Sequence, residues 1–353
     1  MTADQVTLID WDESHVDVDD LDLVLPYNAA PGFPTYGVSV LDRADVGLIA
    51  EQFGLGEDAC LQGPVAYGRL GEIWQLVTGR GRFAVKHAHV AVSVEDAELD
   101  AAYQDVVRSA GVPMPAVVRT VDGTVVADIG GARVRVYEWV DVLPADRRLD
   151  PGELGRLLAS IHAAAVPTDD AIDGWYADPV GAEAWQELLG RLRGAEAPFA
   201  ERLAALLPRV VEAEGILASP RRVQICHRDL WADNVRRARD GGLVVLDWEN
   251  CGAGDVNGEL GCALFEYGLG ERDRMRILYA AYVEAGGPGR LAGRGDLTML
   301  VAQLGNIARI GCERWLTSST DQERARNVDW VTEFLDEPVT VETVDRILRA
   351  VNG

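Results

Sequence analysis

The chain has 353 residues, with 33 basic against 57 acidic side chains, a net charge of −24, and 48% hydrophobic residues. That excess of negative charge repels nucleic-acid backbones and anionic membrane surfaces, and it suits a cationic ligand better. No apolar run approaches the roughly 20 residues of a membrane helix, and the acidic N-terminus lacks the basic-then-apolar pattern of a secretory signal. These features lead us to expect a cytoplasmic protein with neither nucleic acid nor membrane as a partner.

The length is that of two domains, or of one domain with two lobes. The five cysteines (Cys60, Cys226, Cys251, Cys262, Cys312) are odd in number and show no C-x-x-C spacing, so reduced, mostly buried thiols are expected. Residues 1–43 are rich in Asp, Pro and Gly around one strand-like run and read as an extension. A short helix is predicted over 44–53. Alternating runs at 72–78 and 82–87, separated by Gly79-Arg80-Gly81, predict a hairpin. Ser93 with Asp96 forms a capping-box start and Gly111 a stop, which predicts a helix of about 17 residues ended by Pro113 and Pro115. The strictly alternating ARVRVYEWV (132–140) predicts another strand. Residues 44–138 thus read as a small antiparallel lobe with one helix.

From residue 139 the pattern turns helical. Asp150-Pro151 is an N-cap and N1 pair, and Leu154, Leu157, Leu158 and Ile161 form one apolar stripe. Further helices are predicted near 181–192, 198–214, 271–285, 295–315 and 321–335. The fold class is α+β, with a larger, mostly helical lobe over 139–353.

Residues 225–255 read ICHRDLWADNVRRARDGGLVVLDWENCGAGD. Two short strands, 235–239 and 243–246, flank Asp240-Gly241-Gly242, a tight-hairpin signal. The loop carrying Asp229 and Asn234 enters this hairpin and Asp247 leaves it, so three hard oxygen donors gather at one end. Such a set suits Mg²⁺, which takes few carboxylates along with waters and phosphate oxygens.

His227-Arg228-Asp229 followed by Asn234 matches H-x-D-x-x-x-x-N, and Leu246-Asp247-Trp248-Glu249 follows it in order. Together with Lys86 in FAVK, GVPMP, YEWVD and LGRLLASIH, these segments resemble the aminoglycoside phosphotransferase and choline kinase-like family over about residues 45–320. The resemblance implies a two-lobed protein-kinase-like fold and ATP- and Mg²⁺-dependent phosphoryl transfer to a hydroxyl of a small acceptor. It also implies Asp229 as catalytic base, Asn234 and Asp247 as metal ligands, and Lys86 on the nucleotide phosphates, oriented by Glu98 or Asp100. Gly68 and Gly71 cover the phosphates or form an ordinary turn, and main chain around Glu138 to Val140 meets the adenine.

His227 reads as a structural brace and Arg228 as a local carboxylate partner, since only seven residues separate Asp247 from Asp255, too few for an activation segment. Asp255 holds the catalytic loop, caps a helix, or does both. Glu266, Tyr267, Glu313 and Trp315 are candidate acceptor contacts. The acceptor reads as an aminoglycoside-like antibiotic, with an amino alcohol, choline-like compound or sugar as the alternative; a non-catalytic nucleotide-binding regulator is the other reading. Finally, Ile9-Asp10-Trp11-Asp12 matches Leu246-Asp247-Trp248-Glu249 without a preceding H-x-D-x-x-x-x-N, as a remnant of a second copy, a displaced start codon, or a chance acidic strand would.

Overall fold

The computed structural model describes residues 41, 43–67, 71–88 and 93–353; the extension, with its likeness to the later Asp-Trp motif, lies outside the described residues. The chain forms two compact units, one up to Asp146 together with 232–251, the other Arg147–Trp231 together with Gly252–Gly353.

The first unit runs α1 (Arg43–Gln52), β1 (Cys60–Tyr67), β2 (Gly71–Thr78), β3 (Gly81–Ala88), α2 (Val94–Ser109), β4 (Val117–Val118), β5 (Ala127–Ile129) and β6 (Ala132–Glu138). Its antiparallel sheet has the order β1-β2-β3-β6-β4, and β5 also pairs with β6. Strand periodicity sends Val85, Val134 and Val136 to one face, where they pack with Trp74, Leu76 and the Val46, Ile49 and Phe53 side chains of α1. The intervening residues, Lys86 and Arg135 among them, take the other face. On α2, Ala97 and Ala101 pack against Val125 and Val126. Ser93 caps this helix by accepting from the Asp96 N–H at 3.2 Å. Gly111, at φ +92°, leads the chain away from its end. Strand β1 goes unpredicted because Gly63-Pro64 interrupts its alternation, and its pairing with β2 shifts register between Gln62 and Ala66.

The second unit begins with α3 (Pro151–Ala163), α4 (Gly174–Ala177), α5 (Ala182–Gly194), α6 (Ala200–Glu214) and β7 (Val223–Cys226). The chain then enters the first unit for the hairpin β8 (Val235–Arg237) and β9 (Leu243–Val245). It returns through β10 (Gly252–Asp255), α7 (Val256–Gly268), α8 (Arg272–Glu284), α9 (Thr298–Thr317), α10 (Asp321–Asp336) and α11 (Val341–Asn352). Asp150 caps α3 by accepting from the Glu153 N–H at 2.8 Å, with Pro151 at the first helical position. A core of Trp185, Leu203, Leu207, Phe199 and Cys312 joins α5, α6, α9 and α10. Helix α11 is absent from the sequence prediction. No described helix is long and apolar enough to cross a membrane.

The hairpin strands are shorter than predicted, and the other edge of β8 is shared with the segment after β6. Leu143 N–H donates to the Arg237 carbonyl at 2.8 Å and Arg239 N–H to that of Asp141 at 2.9 Å. This pairing ties residues 141–143 to the hairpin, so the first unit extends to Asp146 and includes 232–251, whereas the sequence places the lobe boundary at 138.

Candidate active site

Within the first unit the β8–β9 hairpin brings two of the predicted residues to one end. Leu246 N–H donates to the Asn234 carbonyl at 2.7 Å, closing the ladder that starts with Val235 opposite Val245. Asn234 and Asp247 therefore leave the hairpin together. Asn234 is buried. Asp247 adopts a left-handed backbone, φ +53°, unusual for a residue with a Cβ and a conformation often kept at working sites.

Lys86 Nζ lies 3.0 Å from Asp247 Oδ1 and 2.8 Å from Glu249 Oε2. Burial opposes its charge, yet the two carboxylates outweigh that cost and hold the ammonium well above its usual pKa. Glu249 is buried as well, but Lys86 and Arg135 pull its carboxyl below the ordinary range. Neither predicted helix acid pairs with Lys86. Asp100 grips the Arg135 guanidinium with two bonds of 2.8 and 2.6 Å, and Glu98 faces outward to Arg119 at 2.8 Å and accepts from the Val125 N–H. The acids that meet Lys86 are Asp247 and Glu249, far along the sequence. A third contact fixes this corner, as the Tyr103 ring on α2 meets the Trp248 ring edge-on at 5.8 Å.

The second unit holds the H-x-D segment. Strand β7 pairs with β10 and delivers His227, Arg228 and Asp229, of which His227 is fully buried and Asp229 is 2% exposed. His227 Nδ1 accepts from the Asp229 N–H at 3.3 Å, a bracing contact of the kind expected. Arg228 takes φ +66°, and its guanidinium lies over the Tyr176 ring at 4.5 Å. Its backbone N–H donates to Glu259 Oε1, while Glu259 Oε2 bonds His162 Nε2 at 2.7 Å. Burial works against the Glu259 charge, but His162 and the Arg228 N–H keep its carboxyl below the usual value. His162 Nδ1 meets the Tyr282 hydroxyl at 2.8 Å, and that hydroxyl accepts from the Gly289 N–H at 2.7 Å. His162, Glu259 and Cys226 have ligand-type atoms within 4.8 Å of one another. Both ring nitrogens of His162 are already engaged, which makes the cluster a hydrogen-bonded brace for the loop.

Asp255 serves as a cap. It accepts from the Asn257 N–H at 3.0 Å, at the start of α7, and from the Arg221 N–H at 2.7 Å. Glu259, one turn further along α7, accepts from the Arg228 N–H of the loop. A carboxylate inside the apolar stretch GELGCAL is the sequence signal for it. Arg135 and Glu249 also went unassigned. For Arg135 the signal is the ARVRVYE alternation, which puts it on the face away from Val134 and Val136.

Among the remaining predicted residues, Gly68 lies outside the described residues. At Gly71 a Cβ would come within 2.2 Å of the His87 carbonyl, so its lack of a side chain lets β2 approach β3. The Glu138 N–H is committed to the Ala116 carbonyl at 2.9 Å and the Trp139 N–H to that of Arg82 at 3.1 Å. Trp315 belongs to the helical core, edge-on to Phe199 at 5.6 Å, and Tyr267 is 1% exposed. Glu266 pairs with Arg147 at 3.1 Å and Glu313 with Arg309 at 3.0 Å. A cavity of about 350 Å³ in the second unit is lined by Arg147, Arg209, Arg346, Glu337 and Glu342 among others, and none of the predicted site residues lines it.

A search of curated sequences finds no relative. Among solved structures the chain is similar to a spectinomycin phosphotransferase in complex with ADP and spectinomycin, at 13% identity and a TM-score of 0.66, covering 88% of this chain and 98% of that one. It is also similar to an aminoglycoside phosphotransferase from Alicyclobacillus acidocaldarius, at 15% identity and a TM-score of 0.56, covering 89% and 98%. A microcompartment-associated aminopropanol kinase aligns at 18% identity and a TM-score of 0.53, covering 86% and 98%. At these identities the likeness establishes the two-lobed kinase-like fold alone. The sequence profile described as "Phosphotransferase enzyme family" matches residues 64–294, well over half the chain, and the protein belongs to that family.

Proposed function

We propose that this phosphotransferase is an ATP-dependent kinase that transfers the γ-phosphoryl group to a hydroxyl of a small acceptor, with Asp229 as the base. The observation that carries this reading is the treatment of Asp229: it is buried, follows directly on the β7–β10 pair, and sits in a loop clamped through Arg228 N–H by Glu259. So much support for one short loop fits a reaction whose demand is positioning. Asp229 accepts the proton of the attacking hydroxyl, which becomes bonded to phosphorus as ADP leaves.

The donor set fits Mg²⁺, since an amide oxygen and a carboxylate leave one hairpin end together, where the Lys86 ammonium rests on Asp247 and Glu249. When bound, Mg²⁺ neutralises phosphate charge. Asn234 and Asp247 are the residues that would hold it. Lys86 supplies a cation to the phosphates, and the main chain at Val140 meets the base. Gly68 and Gly71 remain the proposed cover for the phosphates, and Glu266, Tyr267, Glu313 and Trp315 the proposed acceptor contacts. In domain terms, 44–138, joined in the first unit by 139–146 and 232–251, is the nucleotide lobe, the rest of 139–353 the catalytic and acceptor lobe, and 1–43 a segment apart from the chemistry.

The net charge of −24 favours a cationic acceptor. Aminoglycoside-like antibiotics and amino alcohols both qualify, and relatives of both kinds share the fold. The test is ADP release from Mg·ATP against a panel of aminoglycosides, amino alcohols, choline and sugars, run with wild type and Asp229→Ala. Turnover with one acceptor class that vanishes in Asp229→Ala, with nucleotide binding retained, supports the reading. Equal turnover in the two proteins removes Asp229 from the mechanism.

A further inference from the structure

Lys86 on β3 and Arg135 on β6 are direct cross-strand partners, and both belong to the face of the sheet opposite Val85 and Val134. Two cations placed directly opposite each other on one face of a sheet repel. Arg135 is 4% exposed and Lys86 largely buried, so water screens them little. The repulsion is tolerated because carboxylates are threaded between and around them. Asp100 on α2 takes Arg135 in a two-bond fork. Glu249 Oε1 lies 3.4 Å from Arg135 Nη1 and accepts from the Tyr137 hydroxyl at 3.2 Å, while its other oxygen lies 2.8 Å from Lys86 Nζ.

A continuous chain of charges therefore runs from α2 through Asp100, Arg135 and Glu249 to Lys86. We propose that Arg135 is a positioning residue for phosphoryl transfer: it couples helix α2 to Lys86 through Glu249, in place of a direct contact between a helix acid and the lysine. The planar guanidinium is what allows this. Nη1 and Nη2 together take the two Asp100 oxygens while Nη1 also faces Glu249 Oε1, a geometry that a lysine ammonium on a flexible stem does not reproduce. Gln104 Nε2 adds a bond of 3.2 Å to Asp100 Oδ1, holding the α2 end of the chain.

The inference rests on the ATP-dependent reading above, and the experiment separates the two. Steady-state kinetics with Mg·ATP and the acceptor identified by the panel compare wild type, Arg135→Met, Arg135→Lys, Asp100→Asn and the double variant Asp100→Asn/Arg135→Met, with thermal unfolding of each. The expected result is a loss of about 10- to 100-fold in kcat/KM for ATP in Arg135→Met, the scale at which misplacement of a catalytic group is felt. The KM for the acceptor stays within about twofold. Arg135→Lys recovers little of the loss, and the double variant is no worse than Arg135→Met, because the two residues act in series. If Arg135→Met does not fold, Arg135→Lys carries the comparison. Wild-type kcat/KM for ATP in folded Arg135 variants, or additive losses in the double variant, overturns the inference while leaving the kinase reading intact. A wild-type chain that turns over no ATP with any acceptor sinks that reading and this inference with it.

Discussion

Glu259 shows how much work one side chain does in holding the H-x-D loop. It is 1% exposed, yet it stays ionised because one oxygen takes the Arg228 N–H and the other the His162 ring. Its carboxyl lies below the ordinary value, so its stabilisation is fully present above the unfolded-state value near pH 4.5 and is lost as pH falls from there through the lower folded-state value. Glu259→Gln keeps the shape but puts a donor where an acceptor is needed. The expected outcome is a loss of about 1–3 kcal/mol in unfolding free energy, measured by urea titration, with a fall in kcat. Unchanged stability would mean that the brace is redundant. Asp229, Asn234 and Asp247 were readable because their spacing is local, whereas the true neighbour of Lys86 was not. Lys86 and Glu249 are 163 positions apart, and their meeting depends on the register of β3 against β6 and on where the chain goes after β9.

At the level of elements, α2 is tied to the sheet through Asp100, whose carboxyl burial pushes up to about 6 against the pull of Arg135. A raised carboxyl pKa means that the folded protein holds a proton the unfolded chain has released. From this group alone, stability is highest below the unfolded value of 3.8 and falls as pH rises toward 6, by up to about 3 kcal/mol. Chemical denaturation at intervals between pH 4 and 7 checks this: the stability of wild type relative to Asp100→Asn should decline over that window and level off above it. A flat difference would show that Arg135 fully compensates the burial. Asp255, which caps α7, gives a second element-scale prediction. Asp255→Ala should cost about 1 kcal/mol of stability, read as a lowered melting temperature, with catalysis largely kept in the folded fraction. A collapse of kcat would assign the loop-holding role to Asp255.

The elements that were legible have local chemistry: Asp240-Gly241-Gly242 makes a tight turn whatever surrounds it, and Ser93 and Asp150 cap their helices with their own side chains. Strands β7 and β10 were not legible, because GAGD becomes a strand only by pairing with Val223–Cys226. Helix α11 is different, since Thr340 caps it and Val344 and Ile347 bury one face, a signal local to the sequence.

For the whole molecule, a family profile and a fold shared at 13–18% identity establish a phosphotransferase with a kinase-like architecture. They leave the acceptor to be decided by chemistry. The charge of −24 makes a prediction at this scale: affinity for a cationic acceptor should weaken as salt rises from 50 to 300 mM, because screening shortens the reach of the field. An acceptor KM independent of ionic strength would disconnect the acidic surface from recognition. The most direct test of the central claim is phosphoryl transfer itself, followed with Mg·ATP labelled at the γ position and the acceptor panel. Label moving to a hydroxyl of one acceptor with wild type, and failing to move with Asp229→Ala while nucleotide still binds, is the predicted result. No transfer to any acceptor by wild type, or equal transfer by Asp229→Ala, would contradict it.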